Sequence, residues 1–307
     1  MGNFDVIGLG LATIDIITPV SHLPQSDEVF EIFGIDVQGG GPVATALVAL
    51  AKLGAKVAYQ GTIANGRWGS RILDEFNEYG VDTTLCQQFD AGESPVAVIL
   101  VEPDGRRSIL YEKGKQLLLG PSDINPDQIA AVRILHLDGN HPDAAMEAAH
   151  VARQCGTLVS LDGGAGEGKW KGMTELIPLA DILIVARQFA ERHTGFQDPL
   201  KAGPALLARG AHFVVITDGE NGCWYWDKNQ HLHQPAFSVN VRDTTGAGDT
   251  FHGAYLYAFL QNWPPKRCLE FASAVAALKC RHLGGRKGIP TLNQAQDFLR
   301  QSGINYS

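Results

Sequence analysis

The stretch "RDTTGAGDTFHGAY", residues 242–255, decides how the chain is read. Gly246 and Gly248 flank Ala247 between an Asp-Thr-Thr run and a second aspartate, Asp249, and an apolar segment of helical period follows over 251–260. Glycine lets a backbone turn and approach a ligand with no Cβ in the way. If a helix starts here, the N–H groups of Gly246, Ala247 and Gly248 lack intrahelical partners, and the helix dipole favours an anion beside them. A glycine-rich helix entry by itself is often only a tight connection. Asp249 is what that plainer reading leaves unexplained. A carboxylate in the first turn repels a bound phosphate unless it has a task of its own, and accepting the proton of a hydroxyl that attacks the phosphate is such a task.

The chain around this stretch has 307 residues, 45% of them hydrophobic and 19% charged, with a net charge of −8. That length supports a large core. The acidic balance argues against a binder of nucleic-acid backbone. No apolar run reaches membrane-spanning length, and no basic leader precedes a hydrophobic segment, so no membrane association is expected. The five cysteines (Cys86, Cys155, Cys223, Cys268 and Cys280) are scattered and form no C-x-x-C pair. They read as reduced thiols of a cytoplasmic protein rather than a zinc site or a disulfide framework. The ten histidines show no metal-binding spacing.

Strand patterns over 4–11, 56–63, 134–138, 158–162, 182–185 and 213–217 are separated by helical segments, including 43–53 and 69–79, which end at Gly54 and Gly80. Such alternation predicts a doubly wound α/β fold, a mostly parallel sheet with helices on both faces. A β meander is expected over 223–241, then helices over 247–261, 266–281 and 293–301. The β-rich pieces at 14–18, 29–37, 95–102 and 107–111 break the alternation, the last two flanking a "PDGR" hairpin turn. They predict a small β lid over 13–37 and 92–113, inserted into one α/β unit formed by 1–12, 38–91 and 114–307. "GLGLAT", 8–13, resembles the start of a dinucleotide fingerprint, but its third glycine is missing and a strand, not a helix, follows, so that reading is set aside.

The D-T-T-G-A-G-D string resembles the second signature of the ribokinase-like (PfkB) carbohydrate kinases, and the likeness extends along essentially the whole chain. It implies Asp249 as catalytic base and the amides of Gly246, Ala247 and Gly248 as an anion hole for phosphate. "GGGPVATALVALAKLGA", 39–55, is similar to the first signature, which implies sugar contacts from Gly39, Gly40, Gly41 and Thr45, the last standing where the family usually has Asn. The resemblance also places a substrate-binding aspartate at Asp15. It sets Thr217, Gly219 and Gly222 along the nucleotide phosphates and ribose, and Ser273 beside the adenine. ATP and Mg2+ are the implied cofactors. A monovalent cation, K+, is implied near Asp243 and Thr245 with carbonyls of the 279–288 loop.

Within the family, "GGGPVATA" and "FASAVAALKC…GGRKGIP" are similar to kinases of fructose-type and sulfofructose-type substrates. One departure bears on the metal. The family's N-x-x-E motif is replaced by "VARQFAE", which puts Ala186 and Phe189 at those places, and Asp162 at a strand end offers a substitute carboxylate. The basic run at 106–116 lies near the lid and would meet an anionic substituent if it pointed inward. The expected activity is ATP-dependent phosphorylation of a hydroxyl, primary in the simplest case, on a furanose-type sugar. A sulfofructose or sugar-phosphate kinase, a nucleoside kinase using Phe30 and Phe33, and a weakly catalytic sugar-binding regulator remain open. A homodimer through the lid would cover its edges.

Overall fold

The computed structural model describes residues 4–90, 92–115, 117–164 and 172–304. The chain opens with β1 (Val6–Leu9), β2 (Thr13–Pro19), β3 (Asp36–Gly40), α1 (Pro42–Leu53), β4 (Val57–Ala64), α2 (Arg67–Tyr79) and β5 (Cys86–Phe89). After these come β6 (Val96–Val101), β7 (Arg107–Glu112), α3 (Pro126–Ala130), β8 (Ile134–Leu137), α4 (Pro142–Cys155) and β9 (Leu158–Asp162). A second run holds α5 (Met173–Leu176), β10 (Ile182–Ala186), α6 (Arg187–Thr194), α7 (Pro199–Leu207) and β11 (Phe213–Thr217). The antiparallel pair β12 (Cys223–Trp226) and β13 (His231–Gln234) precedes α8 (Ala247–Leu260), α9 (Pro265–Cys280) and α10 (Leu292–Gln301).

Nine strands form one sheet in the order β13-β12-β11-β10-β9-β8-β1-β4-β5, parallel from β5 to β11. The period-2 alternation of strand side chains divides the core between its faces. Val6, Ile134, Ile182 and Val215 pack with α1, α8 and α9, whereas their neighbours Ile7, Leu135, Leu183 and Val214 pack with α4, α6 and α7. Both faces being covered, the strands read as nearly continuous apolar runs. The sheet is the doubly wound architecture expected from the alternation.

β1 is flanked by β4 on one side and β8 on the other, so the chain reverses its winding direction there. Loops that leave the C-terminal ends of such strands diverge and open a crevice. Leaving β1 at that end, the chain enters a separate four-stranded sheet, β3-β2-β6-β7, in which β2 and β6 are parallel. "GLGLAT" therefore joins two strands and opens no helix.

Two details differ from the sequence reading. The apolar run 29–35 forms no strand. Val29 is 96% and Phe33 83% exposed, because the small sheet offers this segment no face to bury against. β3 begins instead at Asp36 and continues through Gly40, so Gln38, Gly39 and Gly40, assigned by sequence to the large unit, pair in the small sheet.

Candidate active site

The helix entry singled out above is the start of α8. Gly246 is its N-cap at φ 70°, a left-handed conformation that suits glycine, and a Cβ there would lie 2.8 Å from Gly285 Cα. The N–H groups of Gly246 and Gly248 donate to no protein acceptor among the described residues. Ala247 donates to Thr244 O at 3.2 Å, so one of the three amides expected to be free is held in a turn. Asp249 follows in the first helical turn and faces a cavity of about 250 Å3. Asp15, Arg107, Asp162 and Ala186 also line it. Asp162, Ala186 and Thr217 sit at the C-terminal ends of β9, β10 and β11, the end where the sheet opens.

A second cavity, about 790 Å3, also reaches the α8 N-terminus. Thr217, Gly219, Gly222 and Ser273 all line it, together with Ala247 and Gly248. Gly219 and Gly222 take positive φ, 52° and 87°, in the short turn between β11 and β12, and Ser273 on α9 lies 3.6 Å from Cys223 Sγ. Thr217 and Gly248 line both cavities. The unpaired Gly248 amide at a helix N-terminus thus borders both cavities, and the Asp249 carboxylate beside it faces the small one.

The glycine run is arranged less simply. Gly41 lines the small cavity, but Gly39, Gly40 and Thr45 do not reach it. A Cβ on Gly40 would overlap the Asp15 carboxylate, and one on Gly39 would overlap the Arg286 guanidinium. Arg286, completely buried, donates to Gly40 O at 2.8 Å and to Thr45 Oγ1 at 3.4 Å, and lies 3.4 Å from Glu75. Glu75 in turn accepts from Gly39 N–H. These residues hold the backbone that carries Asp15. Asp15 itself is buried, accepts from Thr13 Oγ1 at 2.9 Å, and is pushed up to about 6 by loss of solvation, against the pull of that hydrogen bond and of Arg286.

The sequence matches the model of the pfkB family carbohydrate kinases over residues 3–292. The chain belongs to the pfkB family of carbohydrate kinases. This kinase is 26% identical to "Probable fructokinase-3" of Arabidopsis thaliana, over 98% of this chain and 94% of the relative. It is 28% identical to an ATP-dependent ribose-1-phosphate kinase of Halopiger xanaduensis, over 96% of this chain and 98% of that one. The structure of Arabidopsis thaliana ribokinase complexed with ribose and ATP shares the fold, with a TM-score of 0.84 at 23% identity over 97% of this chain and 99% of that one.

Three polar groups of the kinase's small cavity escaped sequence reasoning or were only glimpsed by it. Arg107 reaches in from β7 and donates from Nη1 to Thr244 Oγ1 at 2.8 Å, while its Nε is buried without a partner. Asp162 Oδ1 accepts from Gly164 N–H at 2.7 Å and lies 3.5 Å from His252 Nε2. Burial raises Asp162, and it lowers His252 and the adjacent His136 to about 3, so both rings are neutral. His252 is three residues after Asp249, a spacing that puts both on one helix face. Burial at the cavity floor also raises Asp249 well above the ordinary carboxylate range, Asp162 adds to this, and Arg107 opposes it.

Magnesium takes oxygen ligands and keeps several waters, so nucleotide phosphates plus one or two carboxylates suffice. Asp162 at the cavity wall fits that requirement. Phe189, in place of the motif's Glu, is buried against Gly163 and supplies nothing.

The residues expected to hold a monovalent cation do not fit one. Asp243 Oδ1 accepts from Thr245 N–H at 2.8 Å and Oδ2 from Gly284 N–H at 2.7 Å. Its carbonyl oxygen already takes the Lys279 ammonium at 2.9 Å. A second unit cation about 4 Å from that ammonium would be repelled by about 4 kcal/mol at an effective dielectric constant of about 20.

Proposed function

We propose that this kinase transfers the γ-phosphoryl group of ATP to a hydroxyl, most simply a primary one, of a neutral furanose-type sugar. One observation carries the reading: Gly248, with its unpaired amide, lines both cavities, and Asp249 next to it faces the smaller one. The larger cavity takes the nucleotide, with its phosphates along Thr217, Gly219 and Gly222 and its base toward Ser273. The smaller takes the sugar. At about 250 Å3 it lies below the roughly 300–1,000 Å3 of pockets for drug-sized ligands, which suits a compact polyol. Asp15 accepts hydroxyl hydrogens at one end.

In the transfer step Asp249 removes the proton from the attacking hydroxyl as its oxygen bonds to the γ-phosphorus. The bond from that phosphorus to the β–γ bridging oxygen breaks, and ADP leaves with the electron pair. The Gly246 and Gly248 amides and the Arg107 guanidinium stabilise the transferring group, whose charge lies on its outer oxygens. Magnesium, which Asp162 would help to hold, neutralises the β- and γ-phosphates when bound. The small sheet, docked on the α8 entry through Arg107, is the lid that excludes water.

Among the described residues, three carboxylates (Asp15, Asp162 and Asp249) face the small cavity against the guanidinium of Arg107, which favours a neutral sugar over a sulfonated or phosphorylated one. For a nucleoside, Phe33 is 83% exposed and Phe30 stacks on His22 with ring centroids 4.9 Å apart, so neither forms a base-stacking wall. Ile16, Val98 and Leu110 share a row on the outer face of the small sheet, and Leu110 is 60% exposed. We infer that a second copy covers this row. No helix among the described residues is long and apolar enough to cross a membrane. The free cysteines suit the reducing, ATP-rich cytoplasm.

The test is ADP release with Mg-ATP across neutral sugars, acidic sugars, sugar phosphates and nucleosides. A neutral ketose or pentose should turn over, and Asp249→Asn should lower kcat by about 10^3-fold, of the order expected for loss of a catalytic base. Turnover unaffected by that substitution, or release only with acidic sugars, overturns the assignment. Saturable sugar binding without ADP release points to the regulator.

A further inference from the structure

The Lys279 ammonium has no part in the transfer described above, yet it is the most deeply buried amine of the site. It projects from the last turn of α9, where a cation complements the helix dipole. It is completely buried and donates to the carbonyl of Asp243, three residues before the N-cap of α8. The same aspartate ties the turn to the loop after α9 through Thr245 N–H and Gly284 N–H. The backbone that carries Gly246 and Gly248 is therefore fastened at two points, to the end of α9 by the Lys279 amine and to the loop after it by Gly284 N–H. Burial outweighs every other influence and lowers the Lys279 amine below its ordinary value, Arg107 adds to the lowering, and Asp243 and Asp249 oppose it. Thr245 Oγ1, close by in the turn, is buried without a partner.

We propose that Lys279 is a tethered cation that positions the 243–248 turn, and that the kinase consequently works without a free monovalent cation. The inference rests on the kinase reading above. Lys279 touches neither cavity, so it is a positioning residue: it holds the Asp243 carbonyl, and the turn holds the amides. A side chain fixed by a covalent stem is present at unit occupancy, whereas a diffusible ion must be recruited from solution. Removing the ammonium while keeping the stem leaves a carbonyl, a carboxylate and an unpartnered hydroxyl together, a set of hard oxygens that a potassium or ammonium ion can serve.

The experiment compares the wild type with Lys279→Met in chloride salts of tetramethylammonium, sodium, potassium and ammonium at constant ionic strength. Two quantities are read, the melting temperature without substrates and the steady-state kcat and KM. The wild type should give the same Tm and kcat in all four salts. Lys279→Met should lose roughly tenfold to a hundredfold in kcat with KM for the sugar little changed, the pattern of a lost transition-state interaction. Potassium or ammonium, but not tetramethylammonium, should recover part of that loss and raise the variant's Tm. A wild type whose Tm or kcat rises severalfold with potassium overturns the proposal. So does a folded Lys279→Met enzyme that is impaired but indifferent to every cation, since the lysine would then only fill space. If Lys279→Met does not fold, the wild-type salt series alone decides. The Tm arm needs no turnover, so a failure to find any phosphorylated sugar would count against the kinase reading and leave this test standing.

Discussion

Arg107 of β7 and Thr244, 137 residues later, are joined by a 2.8 Å hydrogen bond from the guanidinium to the threonine hydroxyl. Thr244 Oγ1 also donates to Gly105 O at 3.2 Å, so the tip of the small sheet rests on the turn that leads into α8. The bond uses one nitrogen of Arg107 and leaves Nε buried and unpartnered beside the small cavity. A buried donor without an acceptor costs about 1–3 kcal/mol, which an arriving anionic oxygen would recover. Arg107→Gln should therefore lower kcat by roughly a hundredfold to a thousandfold, the range seen for lost oxyanion donors, with a small change in KM for the sugar. Arg107→Lys should recover little, because a point charge cannot hold Thr244 and reach the phosphoryl group at once. A pure KM effect in either variant would place Arg107 on the sugar instead.

Gly248 supports a separation of stability from activity. Its φ is not positive, and a Cβ on it would meet no atom within 4 Å. In the first turn of a helix, Gly→Ala at such a position stabilises a protein by about 0.4–1 kcal/mol. Gly248 nevertheless lines both cavities, so the methyl would enter space that borders each of them. Gly248→Ala should raise Tm slightly and cut kcat steeply, measured by thermal melting and ADP release. Full activity in a stabilised variant would show that phosphate does not pass there.

Asp15 makes the opposite trade visible through pH. Its folded value near 6 stands above the ordinary 3.8, so its charge costs stability on the order of 3 kcal/mol above pH 6. The cost fades as pH falls from 6 toward 3.8, because the folded state then binds the proton that the unfolded state lacks. Asp15→Asn should thus raise Tm at pH 8 and lose that advantage near pH 4, while KM for the sugar climbs at least about tenfold for a lost charged hydrogen-bond partner. Equal stabilisation at both pH values would refute the buried-charge account.

Asp249, raised by burial and by Asp162, should set the acid limb of kcat. A base is lost when protonated, so kcat falls as pH drops through the raised value, above the ordinary carboxylate range. Asp15 titrates in the free enzyme and enters kcat/KM instead. Residual turnover of Asp249→Asn should lack the kcat limb, and a limb that persists there belongs to another group.

Local sequence determined a large part of this protein. Apolar strand runs separated by helical segments carry the two-faced parallel sheet, because both properties are periodic along the chain. "DTTGAGD" carries the α8 entry, because a glycine N-cap and a first-turn carboxylate are neighbours in sequence. Tertiary structure alone decided which distant groups meet. Arg107, Asp162 and Asp249 come from a strand of the small sheet, a strand end of the large sheet and a helix, and no period links them. The same holds for Lys279 on Asp243, and for Arg286, which makes Gly39 and Thr45 supports of the Asp15 backbone rather than walls of the cavity. A backbone conformation is a local preference of a few residues, but a buried charge must find its partner wherever the packed sheet delivers one.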